Sequence, residues 1–188
     1  MSAPPVSQRL VGSKAGQVPW AREALIVLRE TASRYGATVT YADLAEAVQH
    51  RSGIRTHAQQ RTWLAPVLKL VATACQGRGL PPLIALAVNA QDGKVGAAYD
   101  AVLQVAGEAP FATKSERERH ASEARLACYK AFCESVPEDA RPTTAPPRPS
   151  AAPRSAARKP QPVEVRAAVC PSCFIEMPLV GGGCPNCD

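Results

Sequence analysis

No stretch of the 188-residue chain approaches the roughly 18 consecutive apolar residues that a membrane-spanning helix requires. A helical span is excluded, and a soluble protein with no membrane partner is expected. The opening Met1-Ser-Ala-Pro-Pro-Val has no apolar segment of the kind that directs secretion, so the cytoplasm is the expected compartment. Also missing are a phosphate-cradling Walker loop, a G-x-G-x-x-G fingerprint, a nucleophile elbow and a convincing pair of carboxylates. Those absences argue against an enzyme, although carboxylates distant in sequence can still converge in space. The histidines, His50, His57 and His120, lack H-x3-H or HExxH spacing, and each is expected to be an ordinary surface residue.

What the chain does contain is concentrated at its end. Cys170-Pro-Ser-Cys173 and Cys184-Pro-Asn-Cys187 form two C-x2-C hooks, with Gly181-Gly182-Gly183 leading into the second. A two-residue spacer lets one tight turn present two sulfurs on adjacent ligand directions, and Pro-Ser and Pro-Asn are good turn formers. Four thiolates complete a tetrahedron around one zinc ion, with no open position for substrate water, so the ion is expected to be structural. Iron suits the same sulfur geometry and is the competing metal. Disulfides would need an oxidising compartment, and a thioredoxin-type pair would need a βαβ context. The other cysteines, Cys75, Cys128 and Cys133, lie in apolar helical stretches and read as small buried hydrophobes.

The formal charge of +6 is unevenly spread. Residues 1–136 carry 16 Lys/Arg against 11 Asp/Glu, residues 137–163 carry 5 against 2, and residues 164–188 carry 1 against 3. A basic body and linker suit a polyanionic partner, whereas the acidic tail does not. Residues 137–163 hold eight prolines among Ala, Thr, Ser and Arg, with no aliphatic or aromatic residue between Val136 and Val163. Such a segment cannot bury a core. The expected organisation is a flexible terminus over 1–18, a helical body over 19–136, a disordered linker over 137–163 and a zinc ribbon over 164–188.

Within the body, apolar spacing predicts a helix over Ala21–Tyr35 with Gly36 as its C-cap. Val39-Thr40-Tyr41 is a minimal strand or turn, and Thr40-Tyr41-Ala42-Asp43 fits a capping box opening a second helix. A third helix runs to about Gln76 with Leu64, Val67, Leu68, Val71, Ala74 and Cys75 inward. Pro66 lies either in its first turn or at a kink. Leu83–Val88 reads as a buried strand and Asp92-Gly93 as a hairpin turn. A helix around Tyr99–Val105 follows. A last helix starts near Thr113, with Ala124, Ala127, Cys128, Ala131 and Phe132 on its apolar side.

That order is the order of a winged helix, in which the third helix enters the major groove. The segment Ala37-Thr38-Val39-Thr40-Tyr41-Ala42-Asp43-Leu44-Ala45 resembles the V-x-TYG-x-LA stretch of the winged-helix domain in methylated-DNA alkyltransferases. Pro82-Leu83-Ile84 and Asp92-Gly93-Lys94-Val95-Gly96 fall where that family has its strand and glycine-rich wing, and the likeness covers about residues 37–99. Where the family carries its catalytic Pro-Cys-His-Arg, this chain has Ala85, Leu86, Ala87 and Val88. The resemblance therefore implies a DNA-binding scaffold without the transfer reaction, in which Tyr41 either contacts nucleic acid or fills the core edge.

The fold class expected is mainly α, a winged-helix-like α+β body with a small C-terminal zinc ribbon. The function expected is non-enzymatic binding of duplex DNA. Arg51, Arg55 and Arg61, flanked by His50 and His57, would meet phosphates or guanine edges at the start of the third helix, with Arg34 supporting the same face. Phe174, Ile175, Met177, Leu179 and Val180 exceed what a tiny metal module buries, which suits docking of a protein partner by the ribbon. The alternatives are an adaptor that never touches nucleic acid, or a nucleic-acid enzyme whose site is not legible. Glu116-Arg117-Glu118-Arg119 is expected to be a solvated strip of local ion pairs.

Overall fold

The computed structural model describes residues 9–143, within which the chain is mainly helical. All of these belong to the first of two units, Met1–Ala151 and Ala152–Asp188. Helix α1, Gln17–Ala32, opens after Gly16. A Cβ on Gly16 would sit 2.3 Å from the Trp20 ring, so glycine is required for the indole to fold back over the helix start. The Trp20 ring N–H donates to the Ile54 carbonyl at 3.0 Å, and the ring meets Trp63 at a centroid distance of 4.5 Å. The helix thus begins and ends earlier than the expected Ala21–Tyr35. Gly36 is left-handed at φ 75°, but it follows the terminal turn rather than capping the helix.

Strand β1 (Arg9–Leu10) pairs in parallel with β3 (Ile54–Arg55), and β2 (Val39–Thr40) with β4 (Ala87–Val88). Residues 9–18, expected to be loose, therefore supply a strand and the first residues of α1. Helix α2 (Tyr41–Ser52) starts as its sequence predicts, with the Asp43 N–H donating to Thr40 Oγ1 at 3.1 Å. It stops at Gly53, whose φ of 67° is a conformation a side chain would strain.

Helix α3 (Gln60–Gly77) carries Trp63, Leu64, Val67, Leu68, Val71, Ala72 and Cys75 into the core. Ala72 takes the place expected for Ala74, which is half-buried. Pro66 lies beyond the first turn, where it lacks the N–H that would bond the carbonyl four residues back.

The run Leu83–Val88 is buried throughout, but only Ala87–Val88 is strand; Leu83–Leu86 winds into a 3-10 turn. Pro81 and Pro82 precede it, the Ala85 N–H closes onto the Pro82 carbonyl at 3.0 Å, and β2 offers only two residues to pair with. An apolar run buried on every side does not distinguish strand from turn. The Asp92-Gly93 turn is real, with the Asn89 N–H donating to the Lys94 carbonyl at 2.8 Å. It joins no antiparallel pair among the described residues, where both ladders are parallel.

A 3-10 turn (Ala97–Asp100) leads into α4 (Ala101–Ala106). Helix α5 (Lys114–Phe132) begins with a full capping box between Thr113 and Glu116. Its buried face is Glu118, Ala121, Ser122, Ala124, Arg125, Cys128 and Tyr129, while Ala127 and Ala131 are exposed, contrary to expectation. One core joins these elements, in which Leu28, Leu44, Leu68, Leu83, Ile84 and Leu86 are essentially sealed from solvent. Each such side chain contributes about 1.5–3 kcal/mol of burial.

Candidate nucleic-acid interface

The connection from α2 to α3 is held in place by its own hydrogen bonds. The Thr56 N–H donates to Gln49 Oε1 at 3.0 Å, the Ala58 N–H to Thr56 Oγ1 at 3.3 Å, and the Ile54 carbonyl is held by Trp20. From this fixed backbone Arg55, His57 and Arg61 project into solvent. The first turn of α3 has no acidic residue and Gln59 supplies no side-chain cap; within that turn the Thr62 N–H donates to the Gln59 carbonyl at 2.9 Å. Arg61 uses only its Nε–H locally, toward Gln59 Oε1 at 3.1 Å. Neither Arg55 nor Arg61 has an ion pair among the described residues.

The cationic cluster expected from the sequence divides in two. Arg51 turns away to α1, where Nη1 and Nη2 donate to the Glu30 carboxylate at 2.7 and 2.9 Å and Nε approaches Glu23 at 3.4 Å. The hydrogen bond from Arg51 holds the Glu30 carboxyl below its usual range, and the nearby Arg34 charge acts in the same sense. Arg51 is correspondingly raised by its bond to Glu30. Arg51 and Arg34 therefore share an electrostatic neighbourhood on α1, not with Arg55 and Arg61. The reason is local. Arg51 sits in the last turn of α2, and α1 lays two carboxylates beside it.

Tyr41 is placed at the other side of the same helix start. Its Oη accepts the Gly96 N–H at 2.9 Å, and burial pushes the phenol above its usual range, so it remains a neutral donor. Its ring lines a groove of about 660 Å³ together with Gln60, Arg61, Leu64, Leu68 and Asn89. A smaller hollow of about 280 Å³, lined by Arg55, Glu46, Gln49, Gln60 and Trp63, shares Gln60 with the groove. The start of α3 thus has Arg55 on one flank and Arg61 and Tyr41 on the other.

Two charged features depart from expectation. Glu118 and Arg125 are buried and joined by a short ion pair. Glu118 also accepts the Val95 N–H at 2.9 Å, and Arg125 donates to the Ala85 carbonyl at 3.3 Å. Arg117 donates through Nε and Nη2 to both oxygens of Asp100, at 2.6 and 2.7 Å. The run 116–119 is therefore not a solvated strip: its middle two residues anchor the turn over 89–100 to α5. The signal was the seven-residue spacing of Glu118 and Arg125, which puts both on one face. His120, expected at the surface, is half-buried with Nδ1 2.8 Å from Tyr99 Oη. His50 and His57 are exposed as expected.

Ala85, Leu86, Ala87 and Val88 are buried and apolar, so no reacting side chain occupies that segment. Among the described residues no His/Cys/Asp/Glu group could hold a metal, and no helix is long and apolar enough to cross a membrane. Cys170, Cys173, Cys184 and Cys187, and the linker beyond residue 143, lie outside the described residues. Compared with protein-family models, curated proteins and solved structures, the chain matches none.

Proposed function

We propose that this is a non-enzymatic DNA-binding protein whose body grips duplex at the start of α3. The observation that carries the reading is the pair of solvent-facing guanidiniums, Arg55 and Arg61, without carboxylate partners among the described residues and beside an uncapped helix N-terminus. Helix N–H groups and arginine together favour phosphate oxygens, and a helix end inserted in the major groove brings arginine to guanine edges. The finer winged-helix reading rests on the order α1, β2, α2, β3, α3, with the turn over 89–96 in the place of a wing.

In this reading the C-terminal cysteines hold one structural zinc, and the ribbon docks a protein partner through its apolar residues. The tether would raise the local concentration of each binding site for the other. Metal analysis of the purified chain should find one zinc per molecule, lost in Cys170→Ser/Cys184→Ser; an iron-containing preparation would contradict it. For the body, fluorescence anisotropy on a random duplex should show binding that weakens steeply with salt and that Arg55→Ala/Arg61→Ala abolishes. Absence of binding at low salt favours the adaptor reading instead.

A further inference from the structure

The groove beside α3 extends further along the helix than the residues at its start. Its volume is about 660 Å³, and a second hollow of about 410 Å³ shares Ala65, Ala97 and Ala98 with it. Arg61, Leu64, Ala65, Leu68 and Lys69 recur at the three- and four-residue spacing that sets them on one stripe of α3. The stripe runs about 12 Å along the helix axis. Ala97, Ala98 and Ala101 line the same hollows from the turn over 97–100 and the start of α4. Their small side chains leave the space beside α3 unfilled.

Polar groups gather at the end nearest the start of α3: Gln60, Arg61 and Asn89 line the first hollow and not the second. The half-buried Gln60 and Asn89 amides have no hydrogen bond among the described residues, where Arg125 Nε is the one sealed side-chain atom left unpartnered. Both amides are therefore reached by solvent. Arg61 spends its Nε–H on Gln59 Oε1 and keeps its Nη groups free of protein partners among the described residues. No acidic residue lines either hollow, and the exposed Lys69 has no ion pair among the described residues. The wall over 95–100 is pinned by Glu118 to the Val95 N–H and by Arg117 to Asp100, so the groove is formed before any ligand arrives.

We propose that this groove binds a free medium-chain carboxylate with an unbranched apolar tail. The Arg61 Nη groups and the Gln60 and Asn89 amide N–H groups hold the carboxylate, whose planar oxygens match the guanidinium fork. The tail lies over Leu64, Ala65 and Leu68, and the aliphatic stem of Lys69 covers its far end. A bare phosphate would leave that apolar floor wet, whereas a tailed carboxylate removes it from water. Concave, mostly apolar hollows of this size with a few placed polar groups are the usual form of small-molecule sites.

The test is calorimetric titration of decanoate into the full chain without nucleic acid, with acetate as the tailless control. Saturable one-to-one binding of decanoate is expected, and none of acetate at the same concentration. Arg61→Ala should weaken it roughly tenfold, because a charge-assisted bond is lost. Ala65→Leu keeps a good helix former at a half-buried position and fills the floor, so binding should vanish while far-ultraviolet circular dichroism stays unchanged. Arg51→Ala, whose side chain is paired on α1, should bind like wild type. With no duplex present, failure of this titration leaves the DNA reading standing. Absence of saturable decanoate binding at millimolar concentration, equal binding of acetate, or affinity that survives Ala65→Leu or Arg61→Ala overturns the proposal.

Discussion

Guanidiniums close together in this sequence have unlike fates, decided by whether a carboxylate is within reach. Arg51 forms a two-pronged pair with Glu30 on the surface of α1, while Arg55 and Arg61 face water. Arg51→Ala should accordingly leave duplex affinity within about twofold, whereas Arg55→Ala and Arg61→Ala should each lower the salt slope by about one. Deep in the molecule the balance differs, because Arg125 and Glu118 cannot turn to solvent. Arg125→Met should destabilise the body by about 3–5 kcal/mol, since it leaves Glu118 charged and buried. Adding Glu118→Gln removes that charge, keeps an acceptor for the Val95 N–H, and should recover part of the loss in urea denaturation.

At the scale of elements, capping chemistry was the most readable part of the sequence. Thr40 and Thr113 start α2 and α5 where their spacing to Asp43 and Glu116 placed them, because a cap is a contact within one turn. Thr113→Ala should cost about 1 kcal/mol in the same denaturation assay. The start of α1 was hidden because it depends on Trp20 packing across Gly16 and onto Ile54, a contact between residues far apart in the chain. The turn over Leu83–Leu86 is not legible in the sequence, because an all-apolar run carries no periodicity to separate a strand from a tight turn. The candidate site was legible as a basic stretch, but not its division: nothing in residues 50–61 reveals that Glu30 faces Arg51. Tyr41 also acts at this scale, because its hydroxyl holds the turn over 89–96 through Gly96. Tyr41→Phe should cost about 1 kcal/mol and speed hydrogen exchange of the Gly96 amide, while the amides of α3 keep their protection.

Across the whole molecule, buried acids of high pKa set the alkaline limit of stability. Burial raises the Cys128 thiol from 9.0 to about 12 and the Tyr129 phenol from 10.0 to about 12. The unfolded chain releases these protons first, so the native state binds more of them and stability falls as pH rises. Urea midpoints should hold steady up to about pH 9 and decline from there toward pH 12. A flat profile over that window would show the two groups to be solvated. Net positive charge favours approach to a polyanion, and under the proposed function the α3 edge would give that approach an address. The most direct test is therefore anisotropy on a random duplex across a salt series, comparing wild type, Arg51→Ala and Arg55→Ala/Arg61→Ala. The account predicts that wild type and Arg51→Ala share one steep salt dependence, and that the double variant loses both affinity and slope. Equal losses in Arg51→Ala, or a double variant that binds like wild type, would contradict it.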